Sequence, residues 1–314
     1  MDHPLPAPPA HPRRLVYLGS PELAVAPLRA LVEAGFEVLL VVSREDRRRG
    51  RGAALSPSPV KAAALEMGLA VTDDPDDVLE VAADLGVVVA YGRIIKSPLL
   101  AHLPFVNLHF SLLPRWRGAA PVERAMLAGD AQTGVCLMAL EEGLDTGGVY
   151  RSAEVEIGPE DTVEVLRNRL VLLGTDLLLD ALRLGFTVPT PQQGDAVYAA
   201  KIGPAELQLD WPRSARELLR TVRVGRAWTT FRGRRLLVHD AALAVGPLGG
   251  SDVAPDSALA VVPGTLANVA GAVLVSTGQG WLALRELQPE GRSRLDALAW
   301  RHGAQPTAGE KLGP

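Results

Sequence analysis

"RLVYLGSPELAVAPLRALVEAGFEVLLVVS", residues 14–43, carries the pattern on which the fold turns. "RLVYLG" (14–19) is a short apolar run that stops at Gly19-Ser20-Pro21, a strand followed by a turn. A helical pattern runs from Leu23 to Ala34, interrupted or started by Pro27, and Gly35 closes it as a C-cap glycine does. "FEVLLVVS" (36–43) is a second strand. Both strands are apolar almost throughout rather than alternating, which predicts a parallel sheet covered on both faces.

The same grammar continues outward. "VKAAALEMG" (60–68) reads as a helix, "LGVVVAYG" (85–92) and "FVNLHF" (105–110) as buried strands, 119–127 as a helix and "TGVCLMALE" (133–141) as a strand. A long helix covers 161–184. The stretch 188–206 has no period and is rich in Gly, Pro and Gln, which predicts a linker. "RSARELLRTVRV" (213–224) is one more helix. Beyond it, short β-type runs recur about every ten residues between Gly and Pro, the pattern of a small β-barrel or sandwich. The expected division is therefore a disordered tail at 1–13, an α/β domain at 14–187, a linker at 188–206 and a β domain at 207–314.

Composition narrows the function. With 314 residues, 47% of them apolar, the chain can build two cores. A net charge of −4 gives no general affinity for nucleic acid. The one cysteine, Cys136, excludes a disulfide framework and a cysteine zinc site and fits a reducing cytoplasm. No apolar run reaches membrane-spanning length, so no membrane association is expected.

Chemistry concentrates in "NLHFSLLPRWRGAAPVERAM" (107–126). Asn107 and His109 are two apart on a strand and share a face. The strand ends just beyond them, where open parallel sheets collect ligands. Pro114 stiffens the turn that follows, and Gly118 allows a close return into a helix. Asp145, in "EEGLDTGG" (141–148), sits in a turn that can aim its carboxylate back. An amide and an imidazolium can donate to an oxyanion, and a carboxylate can hold the imidazole or accept a proton. With no serine or cysteine nucleophile motif beside them, these groups suit direct attack by a substrate nucleophile on a carbonyl. His109 has no second histidine placed to share a metal, so no metal is expected.

"NLHFSLLPRWRGAAPVERAMLAGDAQTGV" followed by "GLDTGG" resembles the 10-formyltetrahydrofolate-dependent formyltransferases, and among them the methionyl-tRNA formyltransferases. "YLGSPELAV", "GRGAALSPSPVKAAALEMGL", "VVVAYGRII" and "LQLDW" extend the similarity over residues 14 to about 230. Two positions depart: Phe110 stands where the family has a small residue, and "VRVGRAWTTF" (222–231) where it often has Asn-Pro-Trp-Pro. The resemblance implies a Rossmann-like catalytic domain and an OB-like barrel. It implies transfer of formyl from 10-formyltetrahydrofolate to the methionine amine of initiator methionyl-tRNA, by a monomer. Asn107, His109 and Asp145 would be catalytic, and Ser111, Leu112, Leu113 and Pro114 would line the folate site.

Two basic stretches fit an RNA acceptor. "REDRRRGRG" (44–52) has five arginines, Arg44, Arg47, Arg48, Arg49 and Arg51, against two acids. Residues 213–235 hold eight arginines and one glutamate. Arg216, Arg220 and Arg223 fall at i, i+4 and i+7 on one helix face, opposite Leu218, Leu219 and Val222. Localised positive charge on an acidic chain is an electrostatic footprint for nucleic acid. Two other classes compete. A nicotinamide oxidoreductase lacks its signature, since "GSPELA" is not G-x-G-x-x-G and no acid closes the second strand. A non-catalytic tRNA-binding protein would not need Asn107, His109 and Asp145 together.

Overall fold

A computed structural model describes residues 5–49, 54–244, 261–269, 271–307 and 309–313. The chain divides into two compact units. The first comprises Met1–Ala125, Ala131–Gly158 and Val165–Lys201, the second Met126–Asp130, Pro159–Glu164 and Ile202–Pro314.

In chain order the first part holds β1 (Arg14–Gly19), α1 (Val25–Glu33), β2 (Glu37–Val42), β3 (Arg47–Arg49), β4 (Ala54–Ser56), α2 (Pro59–Glu66), β5 (Val71–Thr72), β6 (Leu85–Val89), α3 (Ser97–His102) and β7 (Phe105–His109). It continues through β8 (Arg117–Gly118), α4 (Pro121–Ala128), β9 (Gln132–Ala139), β10 (Val149–Glu156), α5 (Val163–Leu184) and β11 (Tyr198–Ala199). A seven-stranded sheet runs β10-β9-β7-β6-β1-β2-β5. The five strands from β7 to β5 are parallel, as their apolar runs predict. From β1 the chain moves out through β2 to β5 and then returns to the other side of β1 as β6. That reversal between β1 and β6 opens the crevice at the strand ends where such sheets bind ligands. β7 lies next to it.

Four details differ from the sequence expectation. β9 is antiparallel to β7, and β10 to β9, because a strand's apolar run carries no record of its direction. The basic stretch from Arg44 onward takes part in an antiparallel pair, β3 with β4, which arginine-rich, solvent-facing residues do not announce. The expected tail is ordered over residues 5–13: Pro12 is buried, Phe186 N–H donates to Ala10 O at 3.2 Å and Arg13 N–H donates to Asp84 Oδ2 at 2.8 Å. A proline-rich segment needs no period of its own when outside groups pin its backbone. The segment expected as a linker is likewise anchored over 190–200. Val149 and Thr190 exchange N–H···O bonds at 2.8 and 2.9 Å, β11 pairs with β8, and Arg124 Nε donates to Ala200 O at 2.9 Å.

The second unit contains α6 (Ala215–Val224), β12 (Ala227–Phe231), β13 (Arg234–Ala244), β14 (Leu266–Val269), β15 (Ala272–Ser276), β16 (Trp281–Pro289), β17 (Leu295–Asp296) and α7 (Ala297–Ala304). Its sheet is antiparallel, in the order β12-β13-β16-β15-β14 with β17 on β16. Both outer strands meet one segment: Leu266 N–H donates to Glu310 O at 2.8 Å, and Gly313 N–H donates to Thr230 O at 2.9 Å. That shared seam gives the barrel character expected of the β domain. α6 starts at a reciprocal capping box of Ser214 and Glu217. Its Leu218, Leu219 and Val222 enter a core with Trp211, Val238, Leu284 and Trp300.

Candidate active site

β7 is buried along its whole length between β6 and β9, with Val88 and Met138 flanking Asn107. Asn107 and His109 alternate with apolar residues and present polar groups to one face. Asn107 is 9% exposed, and among the described residues its amide has no hydrogen-bond partner. Its polar atoms are not among the fully buried ones that lack a partner, so the amide is open to solvent and can meet a ligand.

His109 is held on both sides. Its Nε2 lies 2.9 Å from Trp116 O and its Nδ1 lies 3.5 Å from Asp145 Oδ2. A carbonyl only accepts, so Nε2 carries a hydrogen in this arrangement. The Nδ1 gap is long for a hydrogen bond. Trp116 and Asp145, which supply the two oxygens, both have positive φ, 66° and 51°. Left-handed backbone at non-glycine residues costs about 1–3 kcal/mol and gathers at functional sites.

Asp145 is 9% exposed and anchored through both its carboxylate and its carbonyl. Gly118 N–H donates to Oδ2 at 2.7 Å. Gln192 Nε2 donates to Asp145 O and to Gly147 O, each at 2.8 Å. Arg117 Nε and Nη2 donate to Gln192 Oε1 at 3.1 and 2.7 Å. Gly118 has φ 116°, and a Cβ there would stand 3.0 Å from Ala199 O, so the residue suits both the turn and the close approach of β11. Gln192 has no counterpart in the sequence expectation. The only signal was two glutamines in an aperiodic stretch, and composition cannot tell a clamp from a linker.

The expected folate residues do not all face open space. Ser111 is fully buried, and its hydroxyl donates to Arg115 O at 2.6 Å, which closes the turn. Leu112 packs on β9, where a Cβ on Gly134 would meet it at 2.5 Å. Leu112, Leu113 and Pro114 are half-buried, with a cis peptide between the last two. The strand end of β6 turns through Ala90 at φ 47°, and the Tyr91 side chain goes into the core beside Ile95 and Leu99. The Tyr91 side chain is therefore not presented to a ligand.

The arginines separate into two groups. In the β3–β4 hairpin, Asp46 pairs with Lys61 at 2.7 Å and Glu45 with Arg93 at 3.8 Å. Among the described residues Arg44, Arg47 and Arg48 have no ion pair, and Arg47 and Arg48 are exposed. Arg49 belongs to β3, and Arg51 lies outside the described residues. The base of the hairpin is tied, since Ser43 Oγ and Ser58 Oγ are 2.6 Å apart. Of the three arginines expected on the basic face of α6, Arg216 is the exposed one. Arg220 Nη1 donates to Ala128 O at 3.2 Å, and Arg223 pairs with Glu160 at 3.8 Å. The expected basic face of α6 is thus largely occupied by contacts within its own unit, because helical spacing sets a face but not what covers it.

Among the described residues no group of His, Cys, Asp and Glu is placed to hold a metal ion. No described helix is long and apolar enough to cross a membrane.

Comparison with known proteins gives a consistent family. The profile described as formyl transferase matches residues 13–182, and that of the formyl transferase C-terminal domain matches 201–305. The methionyl-tRNA formyltransferase of Symbiobacterium thermophilum is 40% identical over 96% of this chain and 95% of its own. That of Burkholderia pseudomallei strain 1106a is 41% identical over 97% and 98%. Among solved structures, an N-formyltransferase from Helicobacter canadensis, in complex with folinic acid and dTDP-3-aminofucose, superposes with a TM-score of 0.64. It is 15% identical over 87% of this chain and 98% of its own, a likeness of fold. Methionyl-tRNA formyltransferase from Clostridium thermocellum superposes at 0.52, with 14% identity over 74% and 93%.

Proposed function

The chain belongs to the formyl transferase family, and on that premise we propose that it transfers the formyl group of 10-formyltetrahydrofolate to the α-amine of methionine on initiator methionyl-tRNA. It is a folate-dependent enzyme whose near-full-length relatives are named methionyl-tRNA formyltransferases. The amine nitrogen bonds to the formyl carbon, the carbon–N10 bond breaks, and the proton shed by the amine is balanced by the one that N10 gains. The carbonyl oxygen carries negative charge in between.

Asn107, His109 and Asp145 carry that chemistry. The free Asn107 amide donates to the developing oxyanion. The His109 imidazolium adds positive charge beside it, and Asp145 supports that charge and accepts a proton from the attacking amine, directly or through water. Each oxyanion donor is worth roughly 10²–10³ in rate. The observation that carries the reading is Asn107: a buried amide without a protein partner, two residues from an imidazole flanked by a carboxylate.

Folate occupies the crevice beside β7, against the backbone after β6 and the turn Leu112–Pro114. The hairpin arginines Arg44, Arg47, Arg48 and Arg49, with Arg51, meet the phosphates of the tRNA. Arg216, exposed on α6, is a further phosphate-contacting residue, and Arg220 and Arg223 hold structure instead. The reaction runs in the cytoplasm, where charged tRNA is found, on a single chain that supplies all these residues. One assay tests the reading. 10-Formyltetrahydrofolate is offered with charged initiator tRNA, charged elongator tRNA or free amino sugars, and the initiator is expected to be formylated fastest. Equal or faster transfer to an amino sugar overturns the acceptor assignment.

A further inference from the structure

We propose that Gln192 is a positioning residue that sets the Asp145 carboxylate against His109; this rests on the reading of Asp145 as catalytic.

The argument begins with the capacity of one amide. Two N–H groups and one oxygen are all that a glutamine side chain offers. Here the N–H groups take Asp145 O and Gly147 O, and the oxygen takes two donors from Arg117. Arg117 is followed by Gly118, whose N–H binds Asp145 Oδ2. Asp145 is therefore gripped at both ends from the same two residues. Its carboxylate is held directly by Gly118, and its carbonyl is held by Arg117 through Gln192. At φ 51° its backbone is in the left-handed region, which costs energy that the surrounding contacts offset. Without Gln192 the carbonyls of 145 and 147 lose their donors, the turn relaxes, and the carboxylate leaves its place beside Nδ1.

A passive tether is the competing role, and the structure separates the two. The segment that carries Gln192 has attachments of its own: Thr190 with Val149, Ala199 with Ala119 and Ala200 with Arg124. Removing one side chain leaves these in place. Glutamate is a sharper probe than alanine. Gln192→Glu keeps an acceptor for Arg117 but replaces both donors with an oxygen facing two carbonyl oxygens.

The experiment compares the parent with Gln192→Ala, Gln192→Glu, Asp145→Asn and the Gln192→Ala/Asp145→Asn double variant in single-turnover formyl transfer. Gln192→Ala and Gln192→Glu are expected to lower kcat by roughly 10- to 100-fold, since small misplacements of a reacting group cost that much. KM for folate and for charged tRNA should stay within about twofold, as neither side chain binds substrate. In the Asp145→Asn background Gln192→Ala should add less than about threefold, since a residue acting through Asp145 has nothing left to position. Parental kcat in Gln192→Glu, or losses that multiply in full in the double variant, overturns the proposal. Should Gln192→Ala not fold, Gln192→Glu with its Arg117 contact carries the same comparison. Asp145→Asn at parental turnover sinks the catalytic reading itself, whereas a crippled Asp145→Asn beside an unimpaired Gln192→Glu sinks only the role of Gln192.

Discussion

Nδ1 of His109 and Oδ2 of Asp145 stand 3.5 Å apart, yet the two residues leave the sheet from opposite ends. Ala139, where the path to Asp145 begins, lies opposite Val106 and not opposite His109. The loop 140–148 has to return along the sheet, and Gly118 and Gln192 hold it at Asp145. The site is thus assembled from four separate stretches, at 107–109, 116–118, 145–147 and 192.

Replacing the acting side chains should abolish turnover without unfolding the chain. Asn107→Ala and His109→Ala are each expected to lower kcat about 100-fold or more, near 3 kcal/mol of transition-state stabilisation. Because the Asn107 amide has no protein partner, its loss should leave the melting temperature almost unchanged. Near-parental turnover of His109→Ala at saturating substrates would remove the imidazole from the mechanism.

Gly118→Ala should damage both stability and rate. The added Cβ meets Ala199 O at 3.0 Å with φ at 116°, a strain of about 1–3 kcal/mol. The shift moves the N–H that holds Asp145. Thermal unfolding and kcat are both measured. A variant that melts earlier but turns over normally would show that the Gly118 contact is structural only.

The hairpin should govern use of the tRNA rather than chemistry. Asp46 and Glu45 are paired with Lys61 and Arg93, which leaves Arg47 and Arg48 to outside anions. A combined Arg47→Ala/Arg48→Ala change should lower kcat/KM for charged tRNA and make its salt dependence shallower, by near one unit of log K per unit of log salt for each lost phosphate contact. Folate affinity should hold. Tests at two salt concentrations suffice, and unaltered kinetics would return the hairpin to the status of a solvated loop.

Acid should act on the second unit through Glu217. The Ser214 hydroxyl and N–H, followed by Arg213, lower its carboxyl from 4.5 to about 2. The folded value is depressed, so its contribution is present above the unfolded value and is lost as pH falls through the folded one. The stability gap between the parent and Glu217→Gln should be constant above pH 4.5 and close between there and pH 2. Denaturant titrations across that window read it, and a gap independent of pH would assign the cap to hydrogen bonding alone.

Truncation should reveal where the first unit ends. A chain stopping at Lys201 keeps Gln192 and β11, whereas one stopping at Thr187 loses both. The longer fragment is expected to bind a folate analogue and the shorter one to bind it weakly or not at all. Equal affinity by calorimetry would free the folate site from the 188–201 segment.

Much of the fold was legible because it is written in side-chain periodicity. β1, β2 and β6 are apolar runs, β7 alternates polar with apolar residues, and α6 carries its cap and its buried stripe in plain order. The pairing of Asn107 with His109 follows from a period of two. What escaped is pairing without a period. β8 and β11 have two residues each, β9 gives no hint of its direction, and the ordered segment at 5–13 is fixed by hydrogen-bond partners from far along the chain. Gln192 belongs to this class. Its meaning lies in three partners at least 45 positions away, Asp145, Gly147 and Arg117.

The left-handed backbone at Trp116 and Asp145 has a consequence for protein engineering. Glycine adopts that conformation without penalty, so a library selected only for heat resistance would favour glycine at both positions. Asp145→Gly would delete the carboxylate outright. Trp116→Gly would keep the carbonyl that His109 needs while letting it wander. Selection for survival at high temperature and selection for turnover would therefore pull these two codons in opposite directions, and variants recovered from a melting screen alone should be sequenced there first.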